Sequence, residues 1–344
     1  MDPARPEWFD RSLLALMGDA ELTDGVRWTM FRELLSGRTD DVHAAALVIA
    51  LRMKGETTAD LATAAACLRE QMVRLVPVRG PVLDTCGTGG DDSGTFNIST
   101  AAALVVAGTG VPVVKHGNRA VSSRSGSADV LRELGVPIEA GTDWAQRCLD
   151  RIGFAFCYAP HFHAALGPLS TVRRKLGIRS IFNLIGPLAN PASADFHLLG
   201  VGDPERLDVL AGALVELGVQ RAILVCGFDG LDEVSLATPT MVRIVEGGSY
   251  WAEEWDRDMF DLPAVDPADI KAESAAESAR IIEGVLDGLE GPARSMVLAN
   301  AAAALFAANA VRSVHEGVAK SSESIRSGAA KTILDRLRSS APAP

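Results

Sequence analysis

The sequence predicts an α/β protein: a small all-helical domain packed on a larger domain with a mostly parallel central sheet flanked by helices. Three observations carry this. The first 75 of the 344 residues hold apolar side chains at three- and four-residue spacing. From Pro81, short apolar runs alternate with helical segments, the pattern of parallel strands joined by right-handed crossovers. From about Pro267 the chain is helical to near its end. The expected domains are residues 1–76, with a helical contribution from about 161–191, and residues 77–344.

Helices are expected near 10–17, 23–36, 39–54 and 58–75, because each break between them holds Gly, Thr or Asp, the usual stop and cap residues. Beyond Pro81, VLDTC, VPVVKHG, FAFCYA, FHLLGVG and RAILVCG read as strands. NISTAAALVVAG, SADVLRELG and PERLDVLAGALVELG read as the helices among them. Residues 161–191 interrupt the alternation with Pro, Gly and basic residues, and MVRIVEGGSYWAEEW suggests a late hairpin at the sheet edge. The uncharged stretch Ser295 to Val311 is dominated by Ala and broken by Asn300 and Asn309, which marks a buried helix rather than a membrane span. The SSAPAP tail is expected to fray.

Composition narrows the function classes. With 48% hydrophobic and 22% charged residues the chain has a core to bury and is not a disordered one. A net charge of −11 repels a phosphate backbone over the surface as a whole, and 5% aromatics make a poor base-stacking platform, so no nucleic-acid partner is expected. The five cysteines are an odd, widely spaced set without a CxxC pair, which reads as free buried thiols in a reducing compartment. The start, MDPARPEWFD, lacks a basic segment followed by an apolar run, so a cytoplasmic location without membrane association is expected.

Chemistry concentrates in three places. The run from Asp84 to Thr100, DTCGTGGDDSGTFNIST, follows a strand and precedes a helix, where glycines let the backbone approach an anion. It lacks the Gly-Lys-Ser/Thr of a Walker loop, and Asp92 stands where the dinucleotide fingerprint needs its third glycine. A tight turn alone would explain the glycines, but Asn97, Ser99 and Thr100 give three polar side chains where a cap needs one. The second place, Lys115 to Ser127, carries Lys115, Arg119 and Arg124 with four serines, again after a strand. Two anion-friendly loops on one sheet edge suggest a ligand with two separated phosphates. The third, Asp232-Glu233, suits Mg²⁺ bridged to substrate phosphates, with Asp91 a further candidate to organise it.

Together and in this order, GTGGD, TFNIST, KHGNRAVSS, VRRKLGIRSIFNLIGPLANP and GLDEVS resemble the anthranilate phosphoribosyltransferases over nearly the whole chain. The resemblance implies a helical domain on an α/β domain and a homodimer formed through the helical parts. It implies transfer of the phosphoribosyl group of 5-phosphoribosyl 1-diphosphate to anthranilate in tryptophan biosynthesis, releasing pyrophosphate with Mg²⁺, two ions per subunit. The donor would be held by Gly87, Gly90, Asp91, Thr95, Asn97, Ile98, Ser99 and Thr100, and by Lys115, His116, Gly117, Asn118, Arg119, Ala120, Val121, Ser122, Ser123 and Ser127. Anthranilate would meet Gly87, Asn118 and Arg173; the metal would meet Ser99, Asp232 and Glu233; Lys115, Asp232 and Glu233 would be the catalytic set.

Physical chemistry supports parts of that transfer of roles. A planar guanidinium at Arg173 matches a benzoate carboxylate, although Arg174, Lys175 and Arg179 are equally basic and spacing alone does not choose among them. His116 is expected to position rather than to act as a base, since an aromatic amine is already neutral. His161 and His163 lack a third ligand nearby in sequence. Asp92 departs from the glycine usual after GTGGD, and its carboxylate is expected to turn outward. A nucleoside phosphorylase of the same fold fits the Asn118-Arg119 pair and the Arg173 block less well.

Overall fold

The computed structural model describes residues 6–18, 22–78, 80–120 and 125–340. The chain opens with α1 (Glu7–Met17), α2 (Asp24–Leu35), α3 (Asp41–Lys54) and α4 (Thr58–Gln71), close to the expected positions. Their starts are set locally. Asp40 accepts from the amides of Val42 and His43, both at 3.0 Å, a cap that contributes about 1 kcal/mol to α3. Thr57 and Asp60 satisfy each other's backbone amides in a capping box on α4.

The α/β part follows as β1 (Leu83–Gly87), α5 (Ile98–Gly108), β2 (Val113–Gly117), α6 (Ser127–Glu133), α7 (Thr142–Ile152), β3 (Phe154–Tyr158), α8 (Ala159–Phe162), α9 (Gly167–Leu176), α10 (Ile181–Leu184), β4 (Phe196–Gly200), α11 (Leu207–Glu216), β5 (Arg221–Gly227), β6 (Thr240–Glu246) and β7 (Ser249–Trp255). It ends with α12 (Ala275–Leu286), α13 (Pro292–Ala307), α14 (Val314–Arg326) and α15 (Ala329–Arg338). The seven strands lie in the order β3-β2-β1-β4-β5-β6-β7. The first five are parallel, and β6 and β7 form the antiparallel edge hairpin that the sequence suggests. Helix α7 is an addition to the expected elements, and the interrupted stretch 161–191 holds the end of α8 with α9 and α10.

Period-2 alternation serves two cores. In β5, Ile223 and Val225 pack with α5 and α12–α15, while Ala222, Leu224 and Cys226 pack with α1–α4 and α9–α11. Every residue of α13 from Met296 to Leu305 is buried. Small side chains let α14 approach closely, since a Cβ on Gly317 would lie 2.8 Å from the Ala302 Cα. Among the described residues no helix is long and apolar enough to cross a membrane. All five cysteines are buried and free, as expected. The tail differs in part: the indole N–H of buried Trp144 donates to Ser340 Oγ at 2.9 Å and to its carbonyl at 3.0 Å, so the chain is held that far. Residues 341–344 lie outside the described residues.

This topology places the site. β1 sits between β2 and β4, so sheet order reverses direction there, and the loops leaving β1, β2 and β5 share the carboxyl edge where ligands of such sheets bind.

Candidate active site

Those loops enclose a cleft of about 280 Å³. Lining it are Gly87, Gly90, Asp91, Thr95, Asn97, Ile98 and Ser99 from the first loop, Lys115 through Ala120 and Ser127 from the second, and Asp232 and Glu233. Thr100 is not brought to the cleft: it is buried and donates its hydroxyl to Asn97 Oδ1. Arg173, on α9, does not line it either; it is half-buried, and burial lowers its pKa. Val121, Ser122 and Ser123 lie outside the described residues.

In the first loop Gly89 and Gly90 take positive φ of 67° and 77°, a conformation cheap only for glycine. Asp92 also has a positive φ, 51°, and is exposed. A glycine would sit there without strain, and the carboxylate turns outward as expected. The polar residues at the start of α5 do not compete to cap it. Asn97 makes no side-chain cap bond, its backbone amide donates to Ser278 Oγ at 2.9 Å, and the Ser99 amide favours the Glu233 carboxylate. The positive end of α5 thus favours one of the chain's own carboxylates.

In the second loop the Lys115 ammonium is buried and donates to the Thr85 carbonyl and to Ser99 Oγ, the latter at 3.2 Å. Burial pulls its pKa down, while Asp84, Cys86, Glu233 and Asp232 oppose that. His116 Nδ1 pairs with the Gly186 carbonyl at 2.9 Å, and burial pushes its pKa down to about 3. A ring that is neutral and so weakly basic does not suit a general base. Asp129 Oδ2 accepts from the amides of Ala120 at 3.0 Å and Gly126 at 3.1 Å, pinning the two ends of this loop together. Arg119 pairs with Glu139 and lies 5.7 Å from the centre of the Tyr158 ring.

The acidic pair is packed in from behind. A Cβ on Gly87 would meet Asp232 Oδ2 at 2.8 Å, and one on Gly200 would overlap the Asp232 carbonyl oxygen. Asp232 Oδ2 also accepts from the Gly89 amide at 3.2 Å, tying the turn after β5 to the glycine loop. Burial and the adjacent Asp91 carboxylate raise the Asp232 pKa to about 7. Burial and Asp232 raise Glu233 well above its ordinary value. Three carboxylates and the Ser99 hydroxyl crowd one wall with Lys115 as the nearby compensating cation, an all-oxygen donor set that fits a hard divalent ion such as Mg²⁺. Asp84, Cys86 and His197 also gather, but Asp84 is already satisfied by Asn190 Nδ2 at 2.7 Å and the His116 amide at 3.1 Å. His163 stacks near His116 at 4.8 Å and His161 against Tyr158 at 5.2 Å, so HFH forms no metal pair.

Three contributors escape a reading of the sequence. Gly200 leaves room for the acidic turn. Asn183 lines the cleft from α10, and Arg179 lines it from the turn between α9 and α10, its only sequence signal being membership of a basic run.

Backbone amides, cations and carboxylates around one crevice at a sheet switch point define an enzyme that handles phosphorylated substrates. Family models agree: residues 15–72 match the helical bundle domain, and residues 79–331 the a/b domain, of the glycosyl transferase family. The chain belongs to that family, within it to the anthranilate phosphoribosyltransferases. The enzyme of that name from Symbiobacterium thermophilum is 45% identical over 318 residues, 92% of this chain and 93% of the relative. That from Thermomicrobium roseum is 46% identical over 309 residues, 89% of each. The crystal structure of the Thermus thermophilus enzyme superposes with a TM-score of 0.89 at 38% identity, covering 97% of this chain and 99% of that one. The Saccharomyces cerevisiae enzyme in complex with PRPP and Mg gives 0.88 at 28% identity, covering 96% and 97%.

Proposed function

We propose that the chain transfers the 5-phosphoribosyl group of 5-phosphoribosyl 1-diphosphate to the amine of anthranilate, giving N-(5-phosphoribosyl)anthranilate and pyrophosphate in tryptophan biosynthesis. What carries this reading is the convergence of two phosphate-type loops and the Asp232-Glu233 turn on one cleft. A bond forms from the amine nitrogen to the anomeric carbon. The bond from that carbon to the pyrophosphate oxygen breaks through an oxocarbenium-like state, its electron pair leaving on that oxygen. The nitrogen then loses a proton to solvent.

Asp232, Glu233 and Ser99 would hold Mg²⁺, two ions per subunit. Bound there, the metal supplies positive charge against the pyrophosphate. Lys115, through Ser99, and the glycine-loop amides stabilise the leaving group, which is where negative charge grows. Asn118 at the cleft holds anthranilate in line, and Arg173, which stands on α9 outside the cleft lining, is assigned its carboxylate. Residues 1–76 with 161–191 act as the helical domain, its α1–α4, α9 and α10 packing together in a core that also takes in one face of the sheet and α11. Leu14, Met17, Val42 and Met53 are exposed on α1 and α3, an apolar surface suited to a homodimer through the helical part. The enzyme works in the cytoplasm.

The test is loss of anthranilate fluorescence on adding 5-phosphoribosyl 1-diphosphate. Loss only when Mg²⁺ is present supports the reading; no loss at saturating donor and metal refutes it.

A further inference from the structure

The cations at the cleft are not equivalent. Lys115 is committed to Thr85 and Ser99, and Arg119 is neutralised by Glu139. His116 is neutral. Arg179 lines the same cleft, and among the described residues no carboxylate is within ion-pair distance of it. The acids nearest in the adjoining crevice are already occupied: Glu56 takes Arg206 at 2.9 Å and Arg52 at 3.3 Å, and Asp203 takes Arg206 at 3.7 Å.

Its position is specific. Gly177, with φ 62°, ends α9 in the left-handed conformation and turns the chain, so that Arg179 returns over the glycine loop. There its guanidinium fills the space that any side chain at Gly90 would need. Its charge also reaches Asp232, whose carboxylate it favours. An unpaired guanidinium over the loop amides and beside the acidic pair is the arrangement that recognises a phosphate anion, by a bidentate fork that lysine cannot reproduce.

We infer that Arg179 is a direct ligand of the pyrophosphate end of the donor, closing the glycine loop from the α9 side. This rests on the phosphoribosyl-transfer reading of the cleft. It places on one stretch, residues 173–179, the group that orients the acceptor and the group that grips the leaving group.

Calorimetric titration of inorganic pyrophosphate with Mg²⁺ separates the two levels. Arg179→Ala and Arg179→Gln should each weaken pyrophosphate binding about ten- to hundredfold, the loss of one charge-assisted contact. The donor KM should rise with the anthranilate KM unchanged, and the remaining affinity should depend less on salt. Arg179→Lys should recover part of the loss, and Arg174→Ala, a charge on α9 that does not line the cleft, should leave pyrophosphate affinity unaltered. Pyrophosphate affinity unchanged in Arg179→Ala, with wild type binding normally, overturns the assignment of Arg179 alone. So does an equal loss in Arg174→Ala. Wild-type protein that binds no pyrophosphate overturns the donor-site reading and this inference with it.

Discussion

Asn300 grips the backbone of Val234 from both sides: the Val234 amide donates to Asn300 Oδ1 at 2.8 Å, and the Val234 carbonyl accepts from Asn300 Nδ2 at 3.1 Å. All of these atoms are buried, and Val234 directly follows the Asp232-Glu233 turn. An amide in the buried, Ala-rich stretch of α13 therefore fixes the position of two carboxylates on a loop.

Asn300→Leu should leave both Val234 backbone groups unpaired in the core, costing roughly 2–4 kcal/mol. The midpoint of thermal unfolding should fall accordingly. Well below that midpoint, the Mg²⁺ concentration giving half-maximal rate should rise several-fold, because the carboxylates lose their anchor. Asn300→Asp, which can still accept from the amide, should show the smaller shift. Metal dependence identical to wild type at a temperature where the variant is folded would confine Asn300 to stability.

Asp232→Asn and Arg173→Ala should separate the two substrates. The first removes an oxygen anion from the metal wall and should lower kcat by about a hundredfold or more without restoring rate at saturating Mg²⁺. The second removes the partner of the acceptor carboxylate and should chiefly raise the anthranilate KM. Steady-state kinetics with each substrate varied in turn distinguishes these outcomes. A defect of Arg173→Ala confined to the phosphoribosyl donor would contradict its role.

What sequence reading captured was local. The strands, most helices and both loops announce themselves through periodicity and through glycines whose backbone conformation depends on neighbours in the chain, as at Gly89 and Gly90. What it missed depends on distance. Asn300 meets Val234 across 66 residues, and nothing beside Asn300 in the chain signals that contact. Arg179 is one of four similar basic residues in the sequence; the turn at Gly177 brings it to the cleft, while Arg174 does not line it and Lys175 pairs with Asp41 at 3.3 Å. Helix α7 shows weakly in the sequence because TDWAQRCLDRI is mostly polar; its buried face is only Trp144, Ala145, Cys148 and Leu149.

The buried histidines make stability depend on acid in a predictable direction. Burial lowers His163 to about 4, against 6.5 for an unburied ring. As pH falls below 6.5, the unfolded chain binds a proton that the folded chain refuses, so the stability contributed by neutral His163 is complete above pH 6.5 and drains away toward pH 4. Asp84, raised to about 6 by burial, works in the opposite sense, so wild-type stability alone would blur the effect. The difference between wild type and His163→Gln cancels it. Relative to its value at pH 7.5, that difference should shift in favour of the variant by about 2 kcal/mol at pH 4.5, measured by urea unfolding. A difference constant across this range would show that His163 titrates normally.

Asp92 tests whether a departure from the usual glycine matters to the donor. Its φ of 51° is a left-handed conformation that costs an ordinary residue about 1–2 kcal/mol, and Asp somewhat less. Asp92→Gly removes that strain but frees the unfolded chain, which takes back about 0.5–1 kcal/mol. The net change should be a stabilisation of under about 1 kcal/mol, whereas Asp92→Val, β-branched at positive φ, should destabilise by more than that. Because the carboxylate is exposed and screened by salt, the donor KM of Asp92→Gly should stay within about twofold of wild type at physiological ionic strength. A tenfold tighter donor KM would mean that the carboxylate turns toward the phosphates when substrate binds, and that this chain tolerates a repulsion that glycine would avoid.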